Sequence, residues 1–351
     1  MSMSTTRNQP APRLEVLVPG LLGPLPLPPG KAPVTPMLDR LLARGDPIER
    51  PGADLPGALL ARFGAAASAP YALAADLRTA GQDTAESPEQ GGFWMHADPV
   101  HLRPDRDRLR LFDARHLGIS RAEADALVAE INAHFAGDGL RLVAAAATRW
   151  YLTAEQPPAL ETAALEHVIG RSIDGHLPGG PDARRWAGLM NEMQMLLFQS
   201  PVNQAREAAG RPAVNGLWTW GGGHWQPLSA GRAPDRVEGG GPLAAGLAAA
   251  AGTGMAPLPA RAEIAAGTTL AVIDRLQDAV LDNDETAWGA AATALDRWLA
   301  PASDALRAGV LFELILDTGN GRAWCIRRGS LMRLWRRPRP LVERLVTGPP
   351  R

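Results

Sequence analysis

The chain has 351 residues, 46% of them hydrophobic and 21% charged, enough to bury a core in two modest domains or in one large domain with an insertion. Basic side chains number 36 and acidic ones 37, so a formal net charge of -1 excludes a whole-molecule field that draws the protein to nucleic acid or an anionic membrane. A lone cysteine, Cys325, excludes an intramolecular disulfide and a thiolate metal cluster within one chain. No apolar run approaches a membrane span or a signal-peptide core, so a reduced, cytoplasmic protein is expected.

Leu14 to Val18 is a short apolar run stopped by Pro19-Gly20 and predicts a buried first strand. Gly and Pro then mark loop through Pro33, before Thr35-Pro36 opens a helix with Leu38, Leu41 and Leu42 on its apolar face. Residues 81–92 have loop chemistry. Arg108 to Phe112 alternates as a strand does. Ser120 and Glu123 make an S-x-x-E capping box ahead of a helix that buries Ala124, Val128, Ile131 and Phe135. Leu140 to Ala146 and Thr148 to Leu152 predict two strands.

A helix carries Trp186, Leu189, Met193 and Leu197, its methionines being core packing. Residues 229–268, rich in Gly, Ala and Pro, yield no assignable element. Two helices follow, with Val272, Ile273, Leu276 and Val280 in one and Trp288, Ala292, Leu295 and Leu299 in the other. Val310 to Leu316, a turn at Asn320-Gly321 and Arg322 to Arg327 predict a hairpin.

Phosphate-cradle, zinc-helix, nucleophile-elbow and dinucleotide signatures are absent. His96, Asp98 and His101 form the densest histidine cluster. A strand would place 96 and 98 on one face and 101 on the other, which argues against a shared metal. The tail from Arg322 to Arg344 carries eight arginines with Trp324 and Trp335, either a solvated end or a surface for an acidic partner.

Residues 201–223 hold the most information. Trp218 and Trp220 share a strand face beside a glycine run, with Asn203, Arg206 and Asn215 near in sequence. Two readings stand for this block: a core aromatic pair with a tight turn, or an aromatic wall and exposed backbone lining a ligand pocket.

This block resembles the archaeal-type cofactor-independent phosphoglycerate mutases of the alkaline-phosphatase superfamily. Pro201, Val202, Asn203, Arg206, Gly210, Pro212, Asn215, Leu217, Trp218, Trp220, Gly221 and Gly223 carry the match. Residues 17–20, 30–45 and 99–103 are similar to further family segments, the last placing Arg103 at a family arginine. The chain is also similar to the bacterial RpfE-type regulatory proteins, which implies a regulatory context. At three positions it departs from the mutase pattern. Pro19 is followed by Gly20 where the family has a metal-binding aspartate. Pro56-Gly57 is followed by Ala58 where the family has its nucleophilic serine. Asp317 is followed by Thr318 where the family has a metal-binding Asp-His pair. An alanine methyl cannot attack phosphorus.

The resemblance implies an α/β fold: an alkaline-phosphatase-like core sheet flanked by helices, built from residues 1–104 and 179–351, with a smaller α/β subdomain inserted at 105–178. The expected function is that of a non-catalytic regulatory or ligand-binding relative, a pseudoenzyme without catalytic residues, metal or cofactor. Its expected ligand is small and anionic or phosphorylated, held by Asn203, Arg206, Asn215, Trp218, Trp220, Gly221, Gly223 and Arg103, with the Arg206 guanidinium facing a cavity. Membrane and nucleic acid are not expected as partners. The alternatives are an active metal-dependent mutase or phosphatase with ligands elsewhere, and a scaffold that binds a protein through its Arg/Trp-rich C-terminus.

Overall fold

The first apolar run becomes β1 (Arg13–Leu17), which buries Leu14 and Val16 on one face and Leu17 on the other. Burial on both faces suits the middle of a parallel sheet. The computed structural model describes residues 10–25, 32–52, 54–81, 87–106, 108–229, 231 and 233–345. Gly30 and Lys31 of the expected helix approach and residues 82–86 of the expected loop lie outside them. The chain divides into two compact units, one from residues 1–64 with 228–351 and the other from 65–227.

After β1 the first unit continues with α1 (Pro36–Arg44), β2 (Asp46–Glu49) and α2 (Leu55–Phe63). The second unit contains α3 (Ala69–Thr79), β3 (Phe93–Asp105), β4 (Arg108–Asp113), α4 (Arg121–His134), β5 (Leu140–Ala146), β6 (Arg149–Ala154), α5 (Ala183–Gln199), α6 (Pro201–Ala208) and β7 (Gly216–His224). The chain then returns to the first unit through β8 (Arg236–Gly239), α7 (Gly241–Ala250), β9 (Gly254–Ala256), β10 (Thr268–Val272) and α8 (Arg275–Leu281). It closes with α9 (Glu285–Trp298), α10 (Ala300–Ala308), β11 (Glu313–Asp317), β12 (Arg322–Ile326) and α11 (Arg328–Leu331).

The first unit is a seven-stranded sheet in the order β2-β12-β11-β1-β10-β8-β9. β1 lies parallel between β10 and β11, and only the β11–β12–β2 edge is antiparallel. Helices bury their apolar faces against this sheet, as expected for α1 at Leu38, Leu41 and Leu42. Thr35 makes no side-chain cap for α1. Instead, the Leu38 N–H donates to buried Asp296 of α9 at 2.6 Å, satisfying a first-turn donor across 258 residues of sequence. The expected C-terminal hairpin is β11 and β12. The expected helix through Val272 begins later: Val272 ends β10 and the helix starts at Arg275, because a short apolar run has no periodicity that tells strand from helix. The unassigned stretch 229–268 supplies β8, α7 and β9.

The second unit is a five-stranded antiparallel sheet, β4-β3-β6-β5 with β7 on the other side of β3. One face packs Met95, Ala97, Trp150 and Leu152 against α4 and α5. At one end of the opposite face Val100, Leu102 and Trp218 pack with Val168 and Ile173. The Ser120–Glu123 capping box is present at the start of α4. This unit is wider than the expected 105–178. β3 pairs with β7 from Phe93 to Val100, so residues 93–104 and 216–224 share one hydrogen-bonded sheet with the segment between them.

Trp288 anchors the first unit, fully buried and donating its indole N–H to the Gly20 carbonyl at 2.9 Å. Trp288→Ala is expected to cost about 3–5 kcal/mol, read as a lowered urea midpoint with an unchanged slope.

Candidate functional site

Strand alternation puts His96 and Asp98 of β3 on the same face, as their spacing requires. Tyr151 of β6 and Trp220 of β7 flank His96 across the sheet, and Trp218 pairs with Asp98. The Trp220 ring stacks on His96 with centroids 4.1 Å apart and planes at 12°, and its indole N–H donates to Asp98 Oδ2 at 2.7 Å. Tyr151 approaches the other side of His96 at 5.1 Å.

Over this row α3 contributes Asp76, buried and bonded three times: by Arg149 Nε at 2.8 Å, Arg149 Nη2 at 2.7 Å and the Tyr151 hydroxyl at 2.8 Å. Helix and sheet therefore meet through a polar layer. Burial holds the His96 imidazole neutral, its pKa lowered to about 3. Burial likewise raises Asp98 to about 7, against the opposing pull of the Trp220 hydrogen bond and the Arg149 charge. Tyr151 is raised well above its ordinary value by burial and by the Asp76 charge.

Ser68, the residue before α3, is 1% exposed, and among the described residues neither its hydroxyl nor His96 Nε2 has a hydrogen-bond partner. Gly221 separates them. Its φ is +63°, and a Cβ there would lie 2.2 Å from Ser68 Oγ and 3.1 Å from His96 Cδ2. Only glycine fits between these groups. His101 bonds the Ala213 carbonyl at 2.8 Å, three residues beyond Asp98 and on the opposite strand parity. Among the described residues no group of three or more His, Cys, Asp or Glu side chains could hold a metal ion.

Of the expected ligand residues, the structure brings Trp220 and Gly221 to this cluster. The others have structural partners. Arg206 is fully buried and spent on the protein itself: Nε donates to Pro212 O at 2.9 Å, Nη2 to Leu117 O at 2.5 Å and Nη1 to Glu123 at 3.1 Å. Each guanidinium nitrogen is thus committed within the protein, which corrects the expectation that it presents a fork to an anion. Asn203 clips α6 to the chain before β7 through the Leu197 carbonyl and both backbone groups of Val214. Asn215 bonds both backbone groups of Leu102, acting as a strand extension. Trp218 is buried and donates to Ala163 O at 3.0 Å. Gly223 lies against Ala67, which a Cβ would approach to 2.5 Å. Arg103 is exposed, over the Phe112 ring at 4.5 Å.

Sequence reasoning singled out His96 and Asp98 while arguing against a shared metal there, and it missed Ser68, Asp76, Arg149 and Tyr151. The alternation of Arg149 and Tyr151 beside His96 and Asp98 was a usable signal once the β3–β6 register is known.

In the first unit Glu15 of β1 and Asp317 at the end of β11 belong to a separate charged ladder. Asp317, 1% exposed, accepts the Gly319 N–H at 2.8 Å and pairs with Arg62 of α2 at 2.5 Å. Arg62 also pairs with Glu15 at 3.3 Å and donates to Ala58 O at 2.7 Å, while Arg50 pairs with Glu15 at 2.9 Å. Ala58 is buried in α2. Gly20 has φ +77°, and a Cβ there would lie 2.8 Å from the Gln277 backbone at α8.

These features define a mixed α/β protein with sheets flanked by helices, an interior polar layer in one unit and a charged ladder in the other. No protein-family model matches the chain. It is similar to the 2,3-bisphosphoglycerate-independent phosphoglycerate mutase of Methanosarcina barkeri, 27% identical over 121 residues, 34% of this chain and 30% of the relative. The enzyme of the same name from Methanosarcina acetivorans is 24% identical over 200 residues, 54% of this chain and 48% of the relative. The chain is thus related to phosphoglycerate mutase-like proteins and spans about half or less of the length of these curated relatives. Among solved structures, a cofactor-independent phosphoglycerate mutase from Thermoplasma acidophilum superposes with a TM-score of 0.45 at 15% identity, covering 91% of this chain and 90% of that one.

Arg206→Ala removes one member of a buried ion pair and the N–H donors to two backbone carbonyls, so a loss of about 3–5 kcal/mol is expected from chemical denaturation. Asp98 gives a pH test. Its value in the folded chain, about 7, exceeds the ordinary 3.8. Its contribution to stability is full below about pH 4 and is lost as pH rises towards 7. Asp98→Asn keeps an acceptor for the Trp220 indole and should flatten the stability profile across that window, measured as urea midpoints at a series of pH values.

Proposed function

We propose that this protein is a non-catalytic relative of the metal-dependent phosphoglycerate mutases, a regulatory or ligand-binding pseudoenzyme with a small anionic or phosphorylated ligand. The observation that carries the reading is the state of Asp317. It stands where the resemblance puts a metal-binding Asp-His pair, yet it is buried against the Arg62 guanidinium. A divalent cation on that carboxylate would sit beside a fixed positive charge. The other two positions support the same reading, because neither Gly20 nor Ala58 offers a side-chain donor and α8 leaves Gly20 no room for one. The residues present therefore do not fit the metal centre that the resemblance implies.

Phosphoglycerate mutase turnover is expected to be absent with manganese, zinc, cobalt or magnesium, and Ala58→Ser alone should not supply it. Turnover that follows the protein through purification and exceeds a boiled control would overturn the reading.

A second reading, a scaffold that binds a protein through its C-terminal segment, is favoured by Met332, Leu334 and Trp335, exposed at 70%, 69% and 77%. Arg333 pairs with Asp46 and Arg336 donates to Gly45 O, which holds this apolar group outward from the first unit.

A further inference from the structure

In the first unit, α8, α9 and residues 258–260 bound a cavity of about 600 Å³. Its lining includes the buried side chains of Ile273, Leu276, Leu295 and Trp298. The core stripe of α9 runs through Trp288, Ala292 and Leu295, and on the flank beside it Ala287, Ala290 and Ala294 project only methyl groups into the space. These three alanines are exposed, so the cavity opens to solvent along α9. The 258–260 wall is pinned to the end of that helix: the Trp298 indole N–H donates to Pro259 O at 2.9 Å and the Ala262 N–H to Trp298 O at 3.0 Å. Arg275, exposed at the start of α8, carries the only charge among the lining residues. Among the described residues it has no hydrogen bond or ion pair. Asp274 and Asp278, its acidic neighbours in sequence, do not line the cavity.

From this cavity and its single guanidinium, we infer that the protein binds an apolar monocarboxylate, a medium-chain fatty acid being the simplest, with the chain along α9 and the carboxylate on Arg275. Small-molecule sites have volumes of about 300–1,000 Å³, mostly apolar walls and a few polar groups that fix orientation. One guanidinium matches the two oxygens of one carboxylate. A phosphate monoester would bring further negative charge, for which the lining residues offer no second cation. The one other side-chain N–H at the cavity, on Trp298, is already committed to Pro259. The alanines supply room, while the buried floor and the unpaired charge supply the chemistry.

The cavity shares no residue with the charged ladder or with the block 201–223. Binding there goes beyond the proposed function and does not depend on the absence of mutase turnover.

The test is calorimetric titration of the full chain with decanoate, octanoate and 1-octanol, the acids below their micellar concentrations. Decanoate should bind saturably at one site per chain. Octanoate should bind roughly tenfold more weakly, since two fewer CH₂ groups are buried, and 1-octanol more weakly again. Ala294→Phe places a ring in the cavity from an exposed position and should abolish binding at a urea midpoint close to wild type. Arg275→Glu reverses an exposed charge and should weaken decanoate more than about tenfold while leaving 1-octanol unchanged. Should Ala294→Phe unfold, the Arg275→Glu contrast decides alone. The inference is overturned by a wild type that does not bind decanoate saturably, or by undiminished binding in folded Ala294→Phe. A wild-type dimer that Ala294→Phe dissociates would also overturn it, making a second copy of the chain the occupant. Equal affinity for octanoate and 1-octanol, or undiminished decanoate binding in Arg275→Glu, would overturn the carboxylate. Each of these failures leaves the proposed function standing, and mutase turnover would overturn that reading while leaving this one.

Discussion

The second unit depends on β3, thirteen residues long and hydrogen-bonded along both edges. A strand in that position has no free register. Its odd residues, Met95 and Ala97, lie in the apolar core, while its even residues, His96 and Asp98, lie in the polar layer beneath α3. A slip of one residue would drive an imidazole and a carboxyl into the face built by α4 and α5 and turn a methionine towards Asp76. Apolar packing and polar chemistry are therefore fixed by the same pairing. Pro99 sits inside this strand without breaking it, between residues paired to β7 on both sides.

A polar layer between helix and sheet is stable only where its members satisfy one another. Asp76 does most of this by accepting from two side chains at once, which ties α3 to β6. Trp220 serves Asp98 and His96 together, one through its N–H and the other through its ring face. These bonds fix α3 in position on the sheet.

Much of the fold was legible in the sequence where local rules suffice. The run at Leu14 fixes β1, the Ser120–Glu123 box fixes the start of α4, and Asn320-Gly321 fixes the β11–β12 turn. The stretch from 229 to 268 was not legible because β8 and β9 have four and three residues and α7 is almost wholly Gly, Ala and Leu, too short or too uniform to show a period. The candidate site was less legible. Arg206 has the chemistry of an anion fork, and nothing in the linear sequence reveals that Leu117, 89 residues away, and Glu123, 83 away, converge on it. Ser68 lies in an alanine-rich run with no local mark. Its importance comes from contact with a glycine more than 150 residues later, at 221.

Gly20 bears on which substitutions the protein can accept as well as on its shape. With φ at +77° and the backbone of α8 at 2.8 Å from where a side chain would begin, the position now tolerates no larger residue unless α8 moves. Trp288 is seated on the Gly20 carbonyl, so moving that turn would also disturb the centre of the first unit. A carboxylate cannot be introduced there by a single substitution, because the backbone of α8 occupies the space. Such a locus acts as a lock: new side-chain chemistry at this turn would require coordinated changes in the turn and in α8.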